Sequence, residues 1–487
     1  MRKRFEPQMI LGQLPINETP VPLKSRGRLV PLVASLKEII TNAEWNEKVF
    51  AILETKIVAD KKKTGRIGMD LWHIFVLAQV RHCLNISYDE LQHIANYDKL
   101  IRQLMGVETE FGYEKKEFEY QHIYDNVTLL DNETIKELNE VIVEFGHSVF
   151  KKKDTEALRL KTDSFVVESN VHFPTDYNLL WDSARKSLDV VYTFMKKYEN
   201  IPQWRKIDNW YAELKSMMRS LGKASVSGGK GKEERVKSAV KNYLKKANAL
   251  LSKLQNCKQL LPVIDEIDLI LILELQRYMD LLNKHIDLVE RRMLKGETIP
   301  HHEKIFSIFE QYTEWITKGK SHPNVELGKN TAITTDQFHL IVDYYVMDHE
   351  SDNEIVIPLA DRITKKNLVA SWSFDKGFWD KDNKSYLKQL MPEVIMSKKG
   401  KRNDLESLEE TQNNFIRLKN KHSAIESNIN ELEHCGLDRC PDRGYEHFQR
   451  YIGLAVCAYN LRRIGKRLIE QKQSEKDCRK HSGKLAA

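Results

Sequence analysis

Lys161-Thr-Asp-Ser-Phe-Val-Val-Glu168 is the stretch on which the reading of this chain turns. Phe165, Val166 and Val167 give it β-strand composition, and Asp163 stands beside them, where burying an unpaired carboxylate is costly unless a cation compensates. An exposed edge-strand aspartate is the ordinary alternative. Two more acidic motifs follow downstream. Ser373-Phe-Asp-Lys-Gly-Phe-Trp379 puts Asp375 at the end of the apolar run Leu368 to Phe374, with Gly377 read as the sharp exit from a strand. Lys421-His-Ser-Ala-Ile-Glu-Ser-Asn-Ile429 puts Glu426 on a helix beside the apolar face of Ile425, Ile429 and Leu432. Singly, these are a turn aspartate and a helix-surface glutamate. Together, the three acids are the ligand pattern of enzymes that hold two divalent ions on one sheet, and the expected chemistry is phosphodiester cleavage or transfer on DNA.

Working outward, the strand at Leu158 to Asn170 is followed by a helical excursion. Leu180, Ala184, Leu188, Val191 and Met195 form the first apolar face, and two longer stripes begin at Val236 and Ile267. Those two predict a packed helical hairpin. Strand character returns at Thr331–Thr335 and His339–Met347, joined by a turn at Thr335-Asp336-Gln337; helix, strand, helix and strand follow up to Met396. With the excursion removed, this order predicts an α/β fold of ribonuclease-H type, interrupted by a long helical insertion and preceded by an all-helical N-terminal domain. The expected boundaries are a basic extended arm over 1–28, a helical DNA-binding domain over 29–150, a catalytic domain over 151–182 and 320–470, an insertion over 183–319 and a basic tail over 471–487. In the arm, four prolines accompany the clusters Arg2-Lys3-Arg4 and Lys24 to Arg28, a composition suited to lying along DNA. Lys61, Lys62, Lys63 and Arg66 sit in a loop between helices as candidate phosphate contacts, with a solvated loop as the alternative. Ser87-Tyr-Asp-Glu90 is a capping box.

At 487 residues the chain exceeds one ordinary core. A formal net charge of +7 is only mildly basic, so DNA binding has to rest on local patches. Six scattered cysteines form no paired framework and read as free thiols in a reducing compartment. No apolar stretch reaches the length of a membrane span, and no Gly-x4-Gly-Lys-[Ser/Thr] loop predicts a nucleotide cofactor. His434, Cys435, Cys440 and His447 match zinc spacings poorly and read as core or loop packing. Trp372 reads as sheet core, while Trp379 is left open between packing and base stacking.

Thr162 to Asp176, Asp375-Lys-Gly-Phe378 and His422 to Cys440 resemble bacterial insertion-sequence DDE transposases, the ISNCY group above all, as do Gly65 to Met69, Asn85 to Leu91 and His302 to Ile316. The resemblance implies that Asp163, Asp375 and Glu426 hold two Mg²⁺ or Mn²⁺ ions. It also implies a homodimer that binds terminal inverted repeats on double-stranded DNA, cuts the ends and joins them to target DNA, in the bacterial cytoplasm at the nucleoid. Related enzymes carry Tyr-x2-Arg-x3-Glu-x6-Lys around the glutamate. Here Lys419, His422, Glu426 and Glu433 occupy those positions, so the phosphate grip falls in some division to Arg417, Lys419, Lys421 and His422. A domesticated, non-cleaving DNA-binding protein and a metal-dependent nuclease without strand transfer are the rival expectations.

Overall fold

The computed structural model describes residues 2–5, 12–58, 68–109, 116–198, 201, 204, 206–317 and 324–485. Lys61, Lys62, Lys63 and Arg66 lie outside the described residues. Two compact units are present, one formed by Met1–Asn170 with Ile316–Ala487, the other by Val171–Trp315.

The first unit begins with helices α1 (Leu29–Thr41), α2 (Ala43–Ile57), α3 (Leu71–Leu84), α4 (Tyr88–Tyr97), α5 (Lys99–Leu104), α6 (Tyr120–Val127) and α7 (Asn132–Val149). The Ser87–Glu90 capping box starts α4 as the sequence requires. α3 is buried almost all round, so its apolar residues are not confined to one stripe. β1 (Leu158–Ser169) then opens the sheet. The second unit follows with α8 (Asp176–Lys197), α9 (Ile207–Val226), α10 (Lys232–Lys258) and α11 (Glu266–Val289). Its core joins Leu180 and Leu188 of α8, Leu214 of α9, Leu244 and Leu251 of α10, and Leu275 and Leu282 of α11. α10 and α11 pack against each other as expected, and α8 and α9 join them in one four-helix core. The unit therefore starts before residue 183, because α8 is part of that core.

After the insertion come β2 (Glu314–Thr317), β3 (Val325–Thr335), β4 (Ile341–Val346), α12 (Val356–Thr364), β5 (Val369–Phe374), α13 (Lys381–Leu390) and β6 (Glu393–Met396). Then α14 (Asp404–Glu410), α15 (Asn413–His422), α16 (Ala424–Leu432), β7 (Arg439–Cys440) and α17 (Tyr445–Leu485) complete the chain. The sheet runs β2-β3-β1-β5-β6, with β4 also pairing β3 and β7 pairing β1. β3 is antiparallel to β1 and to β4, whereas β5 is parallel to β1 and to β6. The expected strand at Glu393–Met396 and the hairpin around Asp336 are both present; β2 was not anticipated from the sequence. One face of the sheet carries Leu158, Leu160, Trp372 and Phe374 into a core with Val356, Leu359 and Ile363 of α12 and Leu387 of α13.

The N-terminal helices do not make a body of their own. Leu454, Cys457, Leu461 and Ile464 of α17 belong to the same core as α1, α3 and α7. Gly465 permits the close crossing with α1, since a Cβ there would fall 1.7 Å from the Pro31 carbonyl oxygen. Asn460 donates to Asn139 (2.8 Å) and to the Ile341 carbonyl (2.9 Å), and accepts from the Ile341 N–H (2.8 Å), tying α17 to α7 and β4. Residues 471–485, expected as a tail, continue α17 as helix.

The described part of the basic arm is docked rather than free. Arg4 bonds Glu54 (2.6 Å) and Glu47, Arg2 donates to Asn126 (2.9 Å), and the Lys3 carbonyl accepts from the Leu71 N–H (3.0 Å). Opposite charges on α2 thus already occupy Arg4. No helix is long and apolar enough to cross a membrane among the described residues.

Candidate active site

β1 lies between β3 and β5, and this fixes where its acid sits. Asp163 pairs with Ile333 of β3. On the other side Thr162 is level with Phe374, the last residue of the parallel strand β5, so Asp163 comes level with Asp375, which directly follows the end of β5. Neighbouring strands are about 4.8 Å apart, and residues at one level of a parallel pair face the same side. Glu426 is in the first turn of α16, a helix packed against β1 with Ile425 and Leu432 buried.

The electrostatics follow from this crowding. Asp163 is half-buried, and burial pushes its carboxyl up to about 6; the negative charges of Asp375, Asp352 and Glu426 push the same way, while the Ser164 N–H, donating at 2.8 Å, opposes them. Among the described residues the oxygens of Asp163, Asp375 and Glu426 do not all lie within 4.8 Å of one another, so they are not the closed ligand set of one ion. A half-buried acid among like charges, with Asp375 and Glu426 exposed beside it, is a donor set that suits hard divalent cations.

Asp352, between β4 and α12, is the acid that the sequence reading missed. It accepts from the Ser164 hydroxyl at 2.7 Å, and burial, together with the charge of Asp375, raises its carboxyl above the usual range. Gly377 leaves the room it needs: a Cβ there would stand 2.6 Å from Asp352 Oδ2. The glycine sits in the middle of a short 3₁₀ turn at Lys376–Phe378 that directly follows β5, without a left-handed backbone. No spacing in His349 to Glu354 marks Asp352, since its place depends on β4 lying two strands away from β1.

The basic residues divide. Arg417, Lys419 and Lys421 are exposed on α15, and Arg417 donates to Asn414 Oδ1 at 2.6 Å without losing its charge. His422 is different. Its Nδ1 lies 3.0 Å from the Ser373 hydroxyl, and burial lowers its pKa to about 4, with Lys161 acting in the same direction. A neutral imidazole of this kind brings no charge to a phosphate, and its contact with Ser373 braces α15 against β5. Lys161, which the sequence reading did not single out, lies on the same side of β1 as Asp163. Burial lowers its pKa, and the charge of Lys421 adds to the effect, so two ammonium groups stand near each other beside the acids.

The aromatic residues are resolved by their partners. Trp372 is fully buried and donates to Thr162 Oγ1 (2.8 Å), which meets Thr334 Oγ1 at 2.7 Å, a hydrogen-bonded row across three strands. Trp379 is half-buried, with the Lys398 ammonium 5.2 Å from its ring centroid. Cys435 is buried against Arg462, whose guanidinium is 3.3 Å from the sulfur.

Residues 296–461 match the family model of a transposase DDE domain. The DDE domain match takes in Asp375 and Glu426 and begins downstream of β1 and Asp163. Such a domain implies a ribonuclease-H-like fold and metal-dependent chemistry on DNA, and the mixed sheet described above accords with it. No curated protein and no solved structure matches the chain.

Proposed function

We propose that this chain is an insertion-sequence transposase of the ISNCY-like kind, which binds the terminal inverted repeats of its element, cleaves the DNA ends and transfers them to target DNA. The observation that supports this most is the raised carboxyl of Asp163 on β1 beside Asp375 and Glu426, of which the last two fall within the residues that match a DDE domain. Asp163, Asp375 and Glu426 would hold two Mg²⁺ or Mn²⁺ ions, with Asp352 fixing the Ser164 end of the site. Bound there, the ions would activate the attacking oxygen and stabilise the leaving one.

The protein's own part is positioning and charge. Lys161 and Lys421 line the approach to the acids and supply positive charge for a phosphate, while Arg417 and Lys419 extend that charge along α15. Lys61, Lys62, Lys63 and Arg66 are retained as phosphate contacts of the N-terminal region. His422 and Ser373 hold α15 in place so that Glu426, at the start of the next helix, keeps its distance from Asp163. Two copies would act together on two ends, in the bacterial cytoplasm at the nucleoid.

The test uses labelled duplex DNA carrying the ends of the element, with Mg²⁺, and compares the wild type with Asp163→Ala. Cleavage and joining by the wild type, reduced about a thousandfold or more in the variant with DNA binding kept, is the expected result. Binding without any cleavage by the wild type would overturn the reading.

A further inference from the structure

The second unit leaves aliphatic side chains in water at one place. Leu260, Val263 and Ile264 before α11, and Ile267, Ile270 and Leu273 on its first turns, are each 53–73% exposed. Asp268 of the same helix is buried on the opposite side, where it accepts from Lys197 (2.6 Å) and Tyr198 (2.5 Å) and thereby holds the helix start against α8. The outer face is thus fixed in place and uncovered. At roughly 100 Å² per side chain it presents on the order of 600 Å². That is at the top of the range for a monomer's largest apolar patch and most of the ~800 Å² that each partner gives a stable interface.

We infer that this face joins two copies of the chain, with the α11 helices antiparallel about a two-fold axis. Glu266, Ile270, Leu273 and Arg277 succeed one another at i, i+4, i+7 and i+11 and lie on one line of the helix. An axis between Leu271 and Ile272 sets Ile270 of one copy against Leu273 of the other. It also brings each Glu266 to the other copy's Arg277. Among the described residues neither of these two has an ion-pair partner within the chain. Self-complementarity of this kind, with apolar residues at the centre and opposite charges at equal distances from it, is what an isologous pair requires. A nucleic acid would not choose this face, since its centre is aliphatic and its leading end holds Asp265 and Glu266. The inference does not depend on the assignment of the acids, and its test reads mass rather than activity.

The full chain is examined by light scattering and sedimentation at about 10 µM, a concentration that populates complexes of micromolar affinity. A dimer is expected for the wild type, and Ile270→Glu with Leu273→Glu should give a monomer whose circular dichroism and melting remain cooperative. Glu266→Arg alone and Arg277→Glu alone should each weaken the dimer about tenfold, and the two changes together should restore it. A monomeric wild type, an unchanged mass in Ile270→Glu/Leu273→Glu, or failure of the double charge exchange to restore what each single change loses would overturn the proposal. A wild-type monomer that binds anionic vesicles through this face would overturn it as well.

Discussion

The two faces of the central sheet are built on opposite terms. On the face towards α12 and α13 the polar groups at the centre are paired: Trp372 donates to Thr162, Thr162 meets Thr334, and Leu158, Leu160 and Phe374 surround them. On the face towards α15 and α16, Asp163, Asp375 and Glu426 repel one another, while Lys161 and Lys421 do the same beside them. The first face is complete as it stands. The second is held in an unfavourable charge state by the first, which is the condition of a site made for something the chain itself does not supply.

Substitutions on the two faces should therefore move stability in opposite directions. Trp372→Ala removes a fully buried indole and leaves Thr162 without its donor, so unfolding by denaturant should show a loss of about 4 kcal/mol. A loss below about 1 kcal/mol would mean that this face is not the support proposed here.

Next comes His422→Gln. The folded pKa near 4 lies below the ordinary histidine value of 6.5, so in the wild type the stability associated with the neutral ring is full above pH 6.5 and is lost as pH falls towards 4. The variant has no such loss. Between pH 7 and pH 4 its stability relative to the wild type should rise by about 3 kcal/mol, measured by denaturant titration at each pH. A constant difference would place His422 in solvent.

Asp163→Asn should give a gain of similar size. The folded pKa is raised from 3.8 to about 6, so the folded state is favoured below pH 3.8, loses stability as pH rises through 6 and carries the full penalty above it. In chelator at pH 7.5 the variant should be more stable than the wild type by about 3 kcal/mol, and Mg²⁺ should reverse the order by stabilising the wild type alone. If Mg²⁺ shifted both melting temperatures equally, the acid face would not be its site.

The smallest effects separate paired from exposed cations. Arg4→Ala breaks partly exposed pairs to Glu47 and Glu54 and should cost less than about 1 kcal/mol, leaving the salt dependence of DNA binding unchanged. Lys421→Ala should lower the slope of that salt dependence by about 0.9, the value of one phosphate contact. Equal slopes for both variants would remove the distinction.

Much of this was legible because it is local. The strand at Asp163, the capping box at Ser87, the apolar run ending at Asp375 and the turn at Asp336 depend on residue type and short spacing, and each occurs where those spacings require it. Periodicity also marks α11 as a helix, but it does not reveal that Ile270 and Leu273 stay exposed while Leu275 is buried.

By itself the sequence determined the strand that carries Asp163, the apolar strand that ends before Asp375, and the helical interruption between the first strand and the rest, since backbone preference and hydrophobic period act within a few residues. The tertiary structure alone decided that Asp352 joins the acids, that His422 is buried and neutral, that Arg4 is already paired, and that α17 completes the core of the N-terminal helices. Those outcomes depend on which distant segments share a sheet or a helix crossing, and burial and charge take their values only once such neighbours are in place.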